Sequence, residues 1–296
     1  MKFKHLSYFS FITLIAMGLT SCGSSSSDKD KNSSEFKEAE QSLKEQIEEV
    51  IYNIPSPSEI PYLLQATGAE FNSSLLNART KVDQYASRTD KAALNLGVYA
   101  ADIGYLSSYD KTQEAIDYLN SAKTLADNLG VIGSFDVEVL QKFEANISNK
   151  DSLARLLDRT IKKTQSFLAD DDRNKLSAMV VTGSFVEGLY ISTGLIKTYP
   201  KDLLPDDSRN LVLTPLMRVV LEQKKSVTDL VKMLSSLEQT DPIATIVTDL
   251  KSLEKAYADL NIEEQIKNNK ASLALTDKNL IEITTIVERL RKNITD

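Results

Sequence analysis

An all-α fold is predicted by three features of the chain. Apolar residues recur at three- and four-residue steps over one segment after another, two long segments are apolar almost all round, and nowhere does a strand-like alternation of period two occur. The chain has 296 residues, enough to bury an ample core in one large or two modest domains. The architecture expected is a multi-helix bundle or a short array of antiparallel helical hairpins, with a duplicated unit as one reading.

Taken in order, Phe36, Ala39, Leu43, Ile47, Val50 and Ile54 mark one face of a helix of about five turns. Pro55 and Pro57 stop it. Ser58-Glu59-Ile60-Pro61 reads as the cap and first turn of a short helix ending near Gly68. Residues 71–86 read as helix with Leu75, Leu76, Ala78, Val82 and Tyr85 inward. Thr89 then caps a different kind of helix, AALNLGVYAADIGYL over 92–106. Its apolar circumference, with Gly97, Ala100, Ala101 and Gly104, predicts a buried helix approached closely by its neighbours.

Asp110 caps the next helix, whose stripe is Ile116, Leu119, Ala122, Leu125 and Leu129, and Gly130 and Gly133 mark its end. Ala115, Leu119 and Ala122 match second-helix positions of tetratricopeptide-like arrays, but the first-helix positions of that motif do not line up. Residues 135–147 and 153–168 are two more amphipathic helices, the second capped by Asp151. Residues 176–196, LSAMVVTGSFVEGLYISTGLI, repeat the buried pattern. The segment is long enough to span a bilayer. Glu187 in its middle argues for a core helix instead, since charge in mid-bilayer costs roughly 2.5–3.5 kcal/mol or more.

Pro200 and Pro205 end the segment and allow a sub-division near 200–206. Asp206 or Asp207 caps a helical stretch to about residue 238, with Leu213, Val220, Val227 and Leu234 seven apart and Met217 and Val231 alongside; Pro215 should kink or begin it. Asp241-Pro242 signals a helix start, followed by Ile243, Ile246, Leu250, Leu253, Tyr257 and Leu260. Residues 262–275 are less regular. Thr276 caps a last helix with Leu280, Ile283, Val287, Leu290 and Ile294 inward.

Asp102 and Glu187 stand out as acids inside the two buried segments. An unpaired charge in a core is expensive, so each must pair, hydrogen-bond or keep its proton. Residues 96–106 and 182–191 share an order of Gly, aromatic, acid, Gly and Tyr with a one-residue slip. If the two helices pack together, the acids converge, with Tyr99, Tyr105 and Tyr190 as neighbours and candidate ligand-facing aromatics. Such a pair can hold a cation or act as general acid and base. The plainer expectation is a pair of core acids satisfied by hydroxyl, amide or cationic partners. The acidic runs Asp170-Asp171-Asp172 and Asp206-Asp207 are explained by helix starts.

The amino terminus carries Lys2 and Lys4, then an apolar run over 8–17 that is too short for a transmembrane helix and suits a signal peptide. It closes on Leu19-Thr20-Ser21-Cys22, which resembles the lipobox of bacterial lipoproteins. That resemblance implies cleavage before Cys22 and acylation of Cys22. Each buried CH₂ contributes about 0.8 kcal/mol, so several chains anchor almost permanently. Gly23 is not the Asp of enteric inner-membrane retention, which implies the outer membrane; the face is left open. The expected organisation is a signal peptide at 1–21, a flexible polar tether at 22–34 and a helical domain at 35–296.

Cleavage would leave 33 basic and 42 acidic side chains, a net charge of −9, which argues against nucleic acid as a partner. The one His, His5, lies in the leader and the one Cys is the expected lipid site. Ser-His-Asp and Cys-His catalysis, zinc held by His or Cys and His-ligated haem are thereby excluded from the mature chain. No cofactor, metal or catalytic set is expected. The expected function is a non-enzymatic, lipid-anchored envelope protein, held to the membrane through Cys22, that binds another protein, such as an envelope partner, or scaffolds the envelope. A small-molecule or glycan-binding module is the alternative, and an enzyme using Asp102 and Glu187 is less favoured.

Overall fold

Two helices with no need of water stand at the centre of the fold. In the computed structural model the described residues are 69–131, 173–198, 220–260 and 278–296, with scattered residues at 37–65, 141–163 and 217–218. The helices named below are α1 (Val82–Ala86), α2 (Thr89–Ser108), α3 (Thr112–Asn128), α4 (Asn174–Thr198), α5 (Lys224–Ser235), α6 (Ile243–Asp259) and α7 (Lys278–Thr295). No strand occurs among the described residues, and the chain is all-α. Residues Glu40–Asp296 form one compact unit.

Helix α2 is buried without a break from Ala92 to Ser108, and α4 from Ser177 to Glu187. Each is the other's principal neighbour. They meet backbone to backbone. A Cβ on Gly97 would lie 2.1 Å from Val180 O, and one on Gly183 would lie 1.9 Å from Leu94 O. Each glycine thus rests on the carbonyl three residues before the other, a reciprocal contact that only a hydrogen side chain permits. Gly97 lies against Val180 and Ser184. Asp102, further along α2, meets Glu187, further along α4, so the two helices run in the same direction. Helix α4 is the one described helix long and apolar enough to cross a bilayer, and here it is enclosed by protein.

Around this pair the packing is conventional. Helix α3 covers α2 through Ala115, Leu119, Ala122, Leu125 and Ala126. Helices α5, α6 and α7 pack by their stripes, with α6 between the other two. Val227, Leu230, Leu250, Leu253, Ile283, Val287 and Leu290 are all buried there, each worth roughly 1.5–3 kcal/mol of apolar transfer. The Tyr257 hydroxyl donates to Val220 O at 2.7 Å. Helix α7 also lies on α4 and α2, joining the outer layer to the centre.

Several boundaries differ from expectation. Residues 71–86 are not one helix but two 3₁₀ turns, Ser73–Leu75 and Arg79–Lys81, followed by α1. Asn72 Oδ1 caps the first turn by accepting from Ser74 N, and Ala78 is extended. Asn77 is buried and Ala78 exposed, the reverse of an inward Ala78. Asp110 takes a left-handed conformation (φ 57°) between α2 and α3, and the cap position of α3 belongs to Lys111. The long stretch ending near residue 238 is interrupted by a turn at Glu222 and Gln223. Helix α2 begins at Thr89, with Arg88 at its cap, and α6 begins one residue after Pro242.

Of the first expected helix, the described residues Leu43 and Val50 lie on or in the core. Expectations for 1–34, 58–64, 135–140, 164–168, the sub-division near 200–206, Pro215, 262–275 and Thr276 lie outside the described residues.

Candidate functional site

The parallel run of α2 and α4 brings the two sequence-flagged acids together. Asp102 and Glu187 are both 0% exposed and face each other closely enough to interact. A third residue, Arg291 on α7, completes the site. Its Nε donates to Glu187 Oε2 at 3.0 Å and its Nη2 to Glu187 Oε1 at 3.1 Å, a two-pronged guanidinium–carboxylate pair. The guanidinium stacks on the Tyr190 ring, 4.5 Å from its centroid. The Arg291 side chain is 16% exposed, so α7 closes the site from the outside.

Asp102 receives less. Its Oδ2 accepts from Asn77 N at 3.3 Å, and its Oδ1, as a carboxylate oxygen, has no donor. None of the hydrogen bonds of Arg291 reaches it. Two acids face one cation in a closed interior. Burial pushes Asp102 far above the ordinary carboxylate range, and the neighbouring Glu187 charge adds to the shift. Burial also raises Glu187, but Arg291 opposes this by charge and hydrogen bonding.

Asn77 is the hub that makes this arrangement possible. Because the chain is extended at Ala78 rather than helical through it, the backbone and side-chain groups of Asn77 are free for tertiary bonds. Its N–H goes to Asp102, its C=O accepts from Tyr118 Oη at 2.8 Å, and its side-chain amide donates to Asn95 Oδ1 at 3.4 Å. Tyr85 Oη lies 3.2 Å from Asn77 Oδ1 and donates to Thr295 O at 2.8 Å. Asn95 Nδ2 donates to Lys91 O and to Ile294 O at 3.1 Å.

The carbonyls at the end of α7 are thus taken up by α1, α2 and the residues before them. Lys81 Nζ donates to Thr295 O at 2.8 Å, Lys91 Nζ to Asp296 O at 2.7 Å and Gln84 Nε2 to Asp296 O at 3.2 Å. Cations at the negative end of a helix dipole stabilise it further.

The three flagged tyrosines are accounted for by packing partners. Tyr99 is buried, stands edge-on to Tyr118 at 5.7 Å and donates to Ala78 O at 3.1 Å. Tyr105 is buried, stacks on Phe71 and accepts from Asn72 N at 2.8 Å. Burial raises Tyr105 to about 12 and Tyr85 to about 12. Tyr190 is half-buried under Arg291. Cys22 lies outside the described residues.

Arg291, Asn77 and Asn95 were not singled out from the sequence. A buried acid demands a base, and Arg291 flanks the inward residues Val287, Leu290 and Ile294, where a long side chain reaches the seam. Asn95 lies inside an otherwise apolar run, a visible signal. Asn77 gives none.

No family model matches this chain, and neither a curated protein nor a solved structure is detectably similar to it.

Proposed function

We propose that this chain is a lipid-anchored protein of the bacterial cell envelope whose helical domain is a non-enzymatic scaffold or protein-binding module. The observation that carries the reading is Leu19-Thr20-Ser21-Cys22 at the end of a basic-then-apolar leader, followed by the polar residues 23–34. Acylated Cys22 holds the protein on the outer membrane, and the polar segment gives the domain reach. The interior supports a structural role for the acids. A general acid or base must reach substrate, whereas Asp102 and Glu187 are closed off from solvent and committed to each other, to Asn77 and to Arg291.

Tyr99 and Tyr105 spend their faces and hydroxyls on packing, so ligand binding through them is not carried forward. Ile281, 68% exposed, is the one large apolar side chain on the surface among the described residues. A partner meeting these residues therefore docks through polar and charged groups rather than an apolar groove.

The test is mass spectrometry of the mature protein from its own envelope. The expected amino-terminal peptide begins at Cys22 and carries acyl chains. A peptide retaining residues 1–21, or an unmodified Cys22, would refute the anchor. Crosslinking in intact envelopes tests the second half, with a discrete protein adduct expected.

A further inference from the structure

The buried acid pair has a consequence independent of where the protein resides. Two carboxyls, Asp102 on α2 and Glu187 on α4, face one guanidinium, Arg291 on α7, in a closed interior. Arg291 gives its forked donors to Glu187, so Glu187 is the ionised member. Asp102 is left with one backbone donor and one oxygen that no donor reaches. A carboxylate in that position would be an uncompensated buried charge beside a like charge. A carboxylic acid in the same position uses its proton to bond Glu187, and every polar atom of the cluster is satisfied.

We propose that Asp102 is protonated at neutral pH and that its shared proton makes the α2–α4 seam an acid-tightened latch, firm while Asp102 is neutral and loosened when it ionises. Ionisation places a second negative charge against Glu187, and Arg291 cannot neutralise both. The latch acts between α2 and α4 because the two like charges stand on those helices, whereas Arg291 on α7 is drawn toward both.

Burial and Glu187 favour the neutral form of Asp102 and outweigh Arg291 and the Asn77 N–H, which favour its ion. The groups that face it are, from the preceding segment, the Asn77 N–H; from α3, Tyr118; on α2 itself, Tyr99; from α4, Glu187; and from α7, Arg291. Burial raises both tyrosines, so they stay neutral alongside it. Arg291 is the one facing cation in hydrogen-bond contact with the pair.

An unfolded Asp releases its proton near the ordinary value of 3.8, while the folded one keeps it to a higher pH. Folding therefore takes up about one proton between those two points. Stability is fully present below the unfolded value and is lost as pH rises toward the folded one, with the unfolding constant growing about tenfold per pH unit in that window.

The test uses the mature chain with ¹³C-labelled aspartate. The Asp102 side-chain carbon is followed from pH 4 to pH 9, and urea unfolding is measured at the same points for the wild type and for Asp102→Asn, which keeps the shape, donates to Glu187 and cannot titrate. Expected are an acid-form signal at pH 7 and a wild-type unfolding constant that rises about tenfold per pH unit more steeply than the variant's. Asp102 titrating at the ordinary carboxylate pH overturns the proposal, and so do parallel pH profiles. If Asp102→Asn does not fold, the wild-type carbon signal decides alone. Hydrogen exchange of α2 and α4 amides relative to those of α6 at the same pH tests the latch itself. Selective loss of α2 and α4 protection on ionisation is expected, and equal loss in all three helices overturns it.

Discussion

The centre of the molecule and its carboxy-terminal layer solve the same packing problem in opposite ways. Helices α2 and α4 touch through bare backbone at Gly97 and Gly183 and enclose polar groups that must be satisfied one by one. Helices α5, α6 and α7 meet through ordinary stripes of Leu, Ile, Val and Met, with ion pairs such as Arg289–Asp249 at the edge. The centre is specified by shape and charge count, so it has few acceptable alternatives. The outer layer is specified by hydrophobicity and approximate volume, so it has many. Arg291 belongs to both, since it sits on an outer-layer helix and neutralises a central acid.

The sharpest way to break that contrast is to remove the shared residue. Arg291→Met leaves Glu187 buried without its cation and is expected to cost about 3–5 kcal/mol in urea unfolding. A loss below about 1 kcal/mol would mean the pair is no more than a surface contact. Next in size is a single carbon at the crossing. Gly183→Ala puts a Cβ against Leu94 O, where backbone must move, and should cost about 3 kcal/mol or more. Equal stability of variant and wild type would show that α2 and α4 do not cross there.

The outer layer should be more forgiving. Leu250, fully buried in α6, tolerates Leu250→Met at less than about 1.5 kcal/mol by thermal or chemical unfolding. A cost matching that of Gly183→Ala would erase the distinction between the two regions. Smallest of all is Lys197→Ala, which removes the exposed pair with Glu288 and should shift stability by less than about 1 kcal/mol.

The same contrast explains what the sequence revealed. Stripe residues such as Ile246, Leu250, Val287 and Leu290 announce their helices because period and burial coincide, and all four are buried. Residues 92–106 and 176–196 show their burial because they are apolar almost all round, and Asp102 and Glu187 show themselves as charges out of place. What holds those charges is a different kind of information. Arg291 lies 104 residues from Glu187 and looks like any charge flanking a stripe. Asn77 matters because helix fails there, and a period-based reading of 71–86 continues the helix straight through it. Local pattern fixes which face is apolar, while partner choice among polar groups is settled only by tertiary contact.

The claim on which the rest stands is that Arg291 is needed because Glu187 is charged. A double-mutant cycle in urea unfolding measures this directly, with Glu187→Gln, Arg291→Met and both together. The account predicts that Glu187→Gln recovers at least about 2 kcal/mol of the loss caused by Arg291→Met, since the double variant buries no lone charge. Costs that add to within about 0.5 kcal/mol would contradict it.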